Sequence, residues 1–168
     1  MKVVSKTSPL RYLIAAGQTD LLPQLFGAID IPAAVEREML DPHAPPTVRG
    51  WMAQPPAWLR IRHVQSAPDP ELTSELDAGE AEAIQLAQEL RADMLIMDER
   101  RGRQMASQKG IIVVGLLGIL RESHRRGLVD NPIAIAAQLR TLGFHASRAL
   151  LQRFEEQVRE LERQQPKG

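Results

Sequence analysis

Two places in this 168-residue sequence set reactive side chains at the end of an apolar run. Lys6, Thr7 and Ser8 follow Val3-Val4, and Asp98-Glu99 follows Met94-Leu95-Ile96-Met97. Glu38, Glu80 and Glu82 lie on helical segments able to bring further acids to the same rim. Carboxylates gathered at one end of a sheet repel one another unless a proton or a cation joins them. An oxygen-rich set of this kind suits Mg²⁺ or Mn²⁺, which prefer hard ligands and keep several waters. An ion held there polarises a phosphodiester and activates water for in-line attack. The same residues have routine readings. Asp98-Glu99 reads equally as a helix N-cap, and Glu80 and Glu82 as acids favoured by the dipole at a helix start. On the residues alone both readings stand.

The elements that must position these groups alternate. Val3-Val4, Ala28 to Ile31, Leu59 to Val64, Met94 to Met97 and Ile111 to Val114 read as strands. Between them, helical spacing predicts segments from Leu10 with Ser8 as N-cap and Pro9 first in the helix, around Leu21 to Phe26, and after Pro32 through Leu40. Further helices are predicted at about Gly79 to Arg91, Arg100 to Lys109 and Leu116 to Arg126, with two more after Gly127, Ile133 to Leu142 and Ala146 to Arg163. The proline-rich stretch from Asp41 to Pro56 reads as a loop with a short helix near Val48 to Met52, and Ser66 to Pro70 as a connector. Short strands alternating with helices imply a parallel sheet covered on both faces, with ligands beyond the carboxyl ends of the strands.

Apolar residues make up 43% and charged residues 25%, ordinary values for one globular domain with a real core. There is no cysteine, which excludes disulfides, thiolate chemistry and cysteine-bound zinc. Met1 to Ser5 lacks an apolar core and no stretch approaches ~20 apolar residues, so neither a signal peptide nor a membrane partner is expected and a cytoplasmic location is. A net charge of zero argues against indiscriminate nucleic-acid binding by bulk charge. The cations are nearly all arginine, which suits bidentate phosphate contacts and surface ion pairs alike.

Several segments, in order, carry a resemblance. They are Val4-Ser5-Lys6-Thr7-Ser8-Pro9-Leu10, Ile31 to Glu38, Gly79 to Ile84, Asp98 to Arg103, Val114 to Leu120, and Leu142-Gly143-Phe144. Together they span nearly the whole chain and resemble PIN-domain proteins, particularly VapC-like members. The resemblance implies a three-layer α/β/α sandwich with a central parallel sheet and extra C-terminal helices, divided as a PIN-like domain over 1–130 and a helical extension over 131–168 packed on it. It implies Mg²⁺- or Mn²⁺-dependent RNA cleavage, an RNA substrate and a cognate antitoxin; a homodimer is a further partner the chain could take. Carried over by position, the acids are Glu38, Glu80 and Asp98 with Glu99 as an auxiliary metal ligand. Thr7 and Ser8 supply hydroxyls, and Arg100, Arg101 and Arg103 meet substrate phosphate.

Lys6 stands where the resemblance implies the first acid. An ammonium cannot ligate a metal and puts positive charge where the ion should sit. Two unit charges ~4 Å apart interact by about 4 kcal/mol at an effective dielectric near 20, and a divalent ion doubles this. Pairing of Lys6 with Glu38, Glu80 and Asp98 would relieve their repulsion and silence the chemistry. The competing reading sends the ammonium out to solvent on its long stem. The rival function is therefore a non-catalytic RNA- or protein-binding module of the same fold, with a metal-dependent phosphohydrolase or DNA nuclease as a third reading.

Other signals are blander. His43, His63, His124 and His145 lack metal-motif spacing. Trp51 and Trp58 read first as local packing, then as a partner surface. Arg121, Arg125 and Arg126 read as a solvated helix face before a phosphate site. The stripe Leu150, Leu151, Phe154, Val158 and Leu161 must be buried, by default against its own chain and alternatively against a dimer mate or antitoxin.

Overall fold

Each apolar run predicted as a strand forms one: β1 (Val3–Ser5), β2 (Ile29–Pro32), β3 (Leu59–Arg62), β4 (Met94–Ile96) and β5 (Val113–Val114). In the computed structural model, which describes residues 1–165, all four pairings are parallel and the sheet order is β3-β2-β1-β4-β5. Val4 aligns with Asp30 on one side and with Leu95 on the other. Parallel neighbours cannot be joined by tight hairpins, so every strand is followed by helical connection. These helices are α1 (Thr7–Ala15), α2 (Leu21–Phe26), α3 (Ala33–Leu40), α4 (Pro46–Ala53), α5 (Pro70–Glu75), α6 (Ala78–Leu90) and α7 (Arg100–Gln108). The three-layer α/β/α fold expected from the sequence is the fold observed.

Side chains alternate along a strand, and both faces here are buried. Val4, Leu95 and Met97 join Ala83, Ile84, Leu86 and Ala87 of α6 in one apolar cluster. Val3, Ile29 and Ile31 belong to the opposite face by alternation and are fully buried too. Such runs are continuously apolar except where a polar group has been installed, as at Ser5, Lys6 and Asp30.

The chain divides into two compact units, Met1–Gly115 and a second from Leu116 onward. The second holds α8 (Leu116–Arg125), α9 (Pro132–Thr141) and α10 (Arg148–Gln164). The division falls before α8 rather than at residue 130 because α8 packs with α9 and α10. Within that unit α10 buries Phe154 and Val158. Residues 166–168 of the expected extension lie outside the described residues.

Three local expectations need correction. The first helix begins at Thr7 with Lys6 at the N-cap position, not at Pro9 behind Ser8. Ser8 donates its hydroxyl to Glu99 instead of capping. Pro70, read as the end of a connector, instead opens α5 in its first turn, with Asp69 as a side-chain N-cap.

Candidate functional site

Lys6 leaves β1 at the carboxyl end of the sheet, where its backbone N–H still bonds to the Ile96 carbonyl at 3.1 Å. The residue is only 5% exposed. Its ammonium does not reach for solvent. Nζ donates to Glu99 Oε1 at 2.8 Å and to Glu80 Oε1 at 3.3 Å, and lies 3.7 Å from Asp77 Oδ2. Three carboxylates from two distant stretches of chain therefore converge on one cation.

Each acid is placed by ordinary local chemistry. Asp77 and Glu80 form a capping box at the start of α6: the Asp77 side chain accepts from the Glu80 N–H, and Glu80 accepts from the Asp77 N–H. The helix-start reading of Glu80 is thus correct, and the same residue also serves Lys6 through its other oxygen. Glu99 occupies the N-cap position of α7 but makes no cap bond. Its Oε1 accepts from both Lys6 and Ser8, the latter at 2.9 Å, while Oε2 is buried without a hydrogen-bond partner.

Glu38 comes from α3 and accepts a short hydrogen bond from the buried Thr7 hydroxyl. It lies against Gly79, where a Cβ would collide with its carboxylate. Glu38, Thr7, Lys6 and the start of α6 are therefore one locus. Asp98 is not among the carboxylates within 4.0 Å of the Lys6 ammonium. Its carboxylate and the Arg103 guanidinium sit against Gly115 after β5, so close that a Cβ there would strike both. The acids that Lys6 holds are Glu99, Glu80 and Asp77, rather than the expected Glu38, Glu80 and Asp98. Asp77 was missed from the sequence, although its three-residue offset from Glu80 was a readable capping signal.

The arginines are largely engaged. Arg101 pairs with Glu75 at 3.0 Å and Arg103 donates to the Met97 carbonyl at 3.1 Å. Arg100 is exposed and takes no partner among the described residues.

Electrostatics follow the geometry. Burial pulls the Lys6 ammonium downward, but Glu99, Asp77 and Glu80 outweigh it and the group titrates above its ordinary value. Burial lifts the Glu80 carboxyl, and Lys6 only partly offsets that, so Glu80 ends above the usual carboxylate range. Burial acts upward on Glu99 too, yet the hydrogen bond and charge of Lys6, with Ser8, bring it below its ordinary value. The contrast reflects distance: Glu99 holds the shorter bond to the ammonium.

This donor set does not fit a divalent ion. The space between Glu99, Glu80 and Asp77 is filled by a covalently tethered cation, and Glu38 already accepts from Thr7. No group of three or more His, Asp or Glu side chains among the described residues is arranged to hold a metal. The histidines add nothing: His43 pairs with Asp41, and His124 meets the Val129 carbonyl. Trp51 and Trp58 pack on each other with ring centroids 5.9 Å apart. Arg125, at the end of α8, and Arg126, just beyond it, both pair with Glu122, which holds that carboxyl down at about 2. No helix among the described residues is long and apolar enough to cross a membrane.

A family model described as DUF3368, PIN domain, matches residues 2–160. No curated protein matches the chain.

Proposed function

The chain belongs to the PIN-domain family, and from that premise we propose a toxin–antitoxin-type protein that engages RNA at the Lys6 rim with its phosphodiesterase chemistry suppressed. The observation that carries this reading is the Lys6 ammonium at 2.8, 3.3 and 3.7 Å from Glu99, Glu80 and Asp77. Acids that would otherwise recruit a divalent ion are already paired with a cation from within. An ion entering beside Lys6 meets a like charge costing about 4 kcal/mol per unit charge at ~4 Å and an effective dielectric near 20. Each 1.4 kcal/mol is about tenfold in affinity, so millimolar Mg²⁺ fails to compete. A cognate antitoxin is part of the proposal, carried by the family likeness.

The direct test incubates labelled RNA with Mg²⁺ or Mn²⁺ and the protein, alongside its Lys6→Asp variant. Metal-dependent cleavage is expected from Lys6→Asp and not from the parent. Equal cleavage by both would discard the suppressing role of Lys6. A second reading, active hydrolysis through Glu38 and Asp98 alone, would then become the better one, and Glu38→Gln would be the variant to separate it.

A further inference from the structure

Asp30 is a buried acid on a central strand that the Lys6 site does not use; it is 1% exposed. Its partners are on β3, the edge strand. Arg60, its register neighbour, donates Nε to Oδ1 at 3.0 Å and Nη2 to Oδ2 at 3.1 Å. Arg62 donates Nε to the same Oδ1 at 3.1 Å. One bidentate guanidinium already satisfies and neutralises a carboxylate. The second leaves a surplus positive charge. Both side chains stay about half exposed, at 45% and 48%, and their remaining N–H groups take no partner among the described residues.

We propose that Arg60 and Arg62, held in place by Asp30, contact neighbouring phosphates of single-stranded RNA. The inference rests on the RNA reading above and names a second contact for the same ligand. Three observations support it. Residues i and i+2 on one strand face stand about 6.6 Å apart, comparable with neighbouring phosphates along an extended single strand. Arg62 ends β3 at the same carboxyl rim as Lys6, two strands away in the order β3-β2-β1, or about 10 Å. Beside Arg62 opens a groove of about 430 Å³ lined by Ile61, Leu86 and Leu90 together with His63 and Gln65, room for a base next to a cation for its phosphate. Glu89 also lines this groove, but its carboxylate is taken up by the N–H groups of Gln65 and Ser66 at 3.1 and 2.9 Å.

The buried acid gives the pair its value. Guanidiniums already fixed by Asp30 lose little rotamer freedom on binding. An acidic peptide would also meet the charge, yet it offers no base to fill the groove beside it. RNA is the occupant the geometry favours.

The test is anisotropy of a labelled oligouridylate in EDTA across a salt series, so that cleavage does not enter. Arg62→Gln retains the Asp30–Arg60 pair. The triple variant Asp30→Asn, Arg60→Gln, Arg62→Gln removes the cations and the acid together, leaving no orphaned charge. Circular dichroism verifies folding of each, and Arg153→Gln, an exposed change on α10, controls for bulk charge. Arg62→Gln is expected to weaken binding about fivefold near 0.1 M salt and to reduce the salt slope by about 0.7, one single-strand phosphate contact. The triple variant, which removes the same single net charge, changes the slope by at least as much, and Arg153→Gln leaves both quantities as in the parent. Unchanged affinity and slope in Arg62→Gln and the triple variant would overturn the phosphate pair while leaving RNA binding intact. Absence of RNA binding by the parent would overturn both, and binding of a polyglutamate peptide instead would assign the surface to a protein partner. Metal-dependent cleavage by the parent would sink only the account of Lys6.

Discussion

A lysine ammonium enclosed by three carboxylates is stable only as a set. Replacing Lys6 by Met keeps much of the stem but leaves Glu80 and Glu99 facing each other without a counter-ion. Breaking a buried ion pair at one partner typically costs about 3 kcal/mol or more, and that loss is expected in urea denaturation of Lys6→Met at neutral pH. The pH dependence has a definite sign on each limb. Lys6 titrates above its ordinary value, so its contribution is complete below 10.5 and is lost as pH rises through the raised folded value. Glu99 titrates below its ordinary 4.5, so its contribution is present above 4.5 and is lost as pH falls through the depressed folded value. Glu80, raised by burial, opposes Glu99 on the acid side, which leaves the alkaline limb as the cleaner one to measure. Lys6→Met should lack the parent's alkaline loss of stability. A parent whose stability is flat through that range would rule out the ion cluster as a stabilising element.

At the scale of the element, the start of α6 decides the site. The capping box fixes Asp77 and Glu80, and Gly79 between them leaves room for Glu38. Gly79→Ala brings two opposed effects. Alanine favours the helix by up to about 1 kcal/mol. Its Cβ, however, displaces the Glu38 carboxylate from Thr7, forfeiting a charged hydrogen bond worth about 1.5–3 kcal/mol. The net expectation is destabilisation by about 1 kcal/mol, the hydrogen bond outweighing the helix propensity. A double-mutant cycle separates the two, because in a Thr7→Val background Gly79→Ala should become neutral or stabilising. Additive effects in that cycle would mean that Gly79 and Thr7 do not act through Glu38.

For the whole molecule, the internal cation predicts a fold indifferent to divalent ions. The melting temperature of the parent should be the same in EDTA and in millimolar Mg²⁺. Lys6→Asp, with the tethered charge removed and an acid added, should gain stability as Mg²⁺ is raised, by about 2.7 kcal/mol at a hundredfold excess over its dissociation constant. A parent that melts higher in Mg²⁺ than in EDTA would contradict the electrostatic argument at its root.

How much of this was legible in the sequence differs by level. Strand positions and the parallel, two-sided sheet could be read because buried parallel strands are continuously apolar and need helical crossovers. Lys6 could be singled out because its neighbours match a motif in which that position is acidic. Its companions could not. Glu99 rather than Asp98 turns to Lys6, a choice between adjacent residues that depends on how the chain leaves β4 for α7. Ser8 looked like an N-cap, yet its hydroxyl goes to Glu99 across the rim. Asp30 read as one polar letter within a strand, and only the pairing of β2 with β3 brings Arg60 and Arg62 to it. Periodicity and local capping act over a few residues, and so the sequence by itself determined the elements, the fold class and the oddity of Lys6. Which carboxylates meet which cations depends on side chains 30 to 93 positions apart, and that only the tertiary structure decided, because a charge pair depends on distance in space and no local pattern records it.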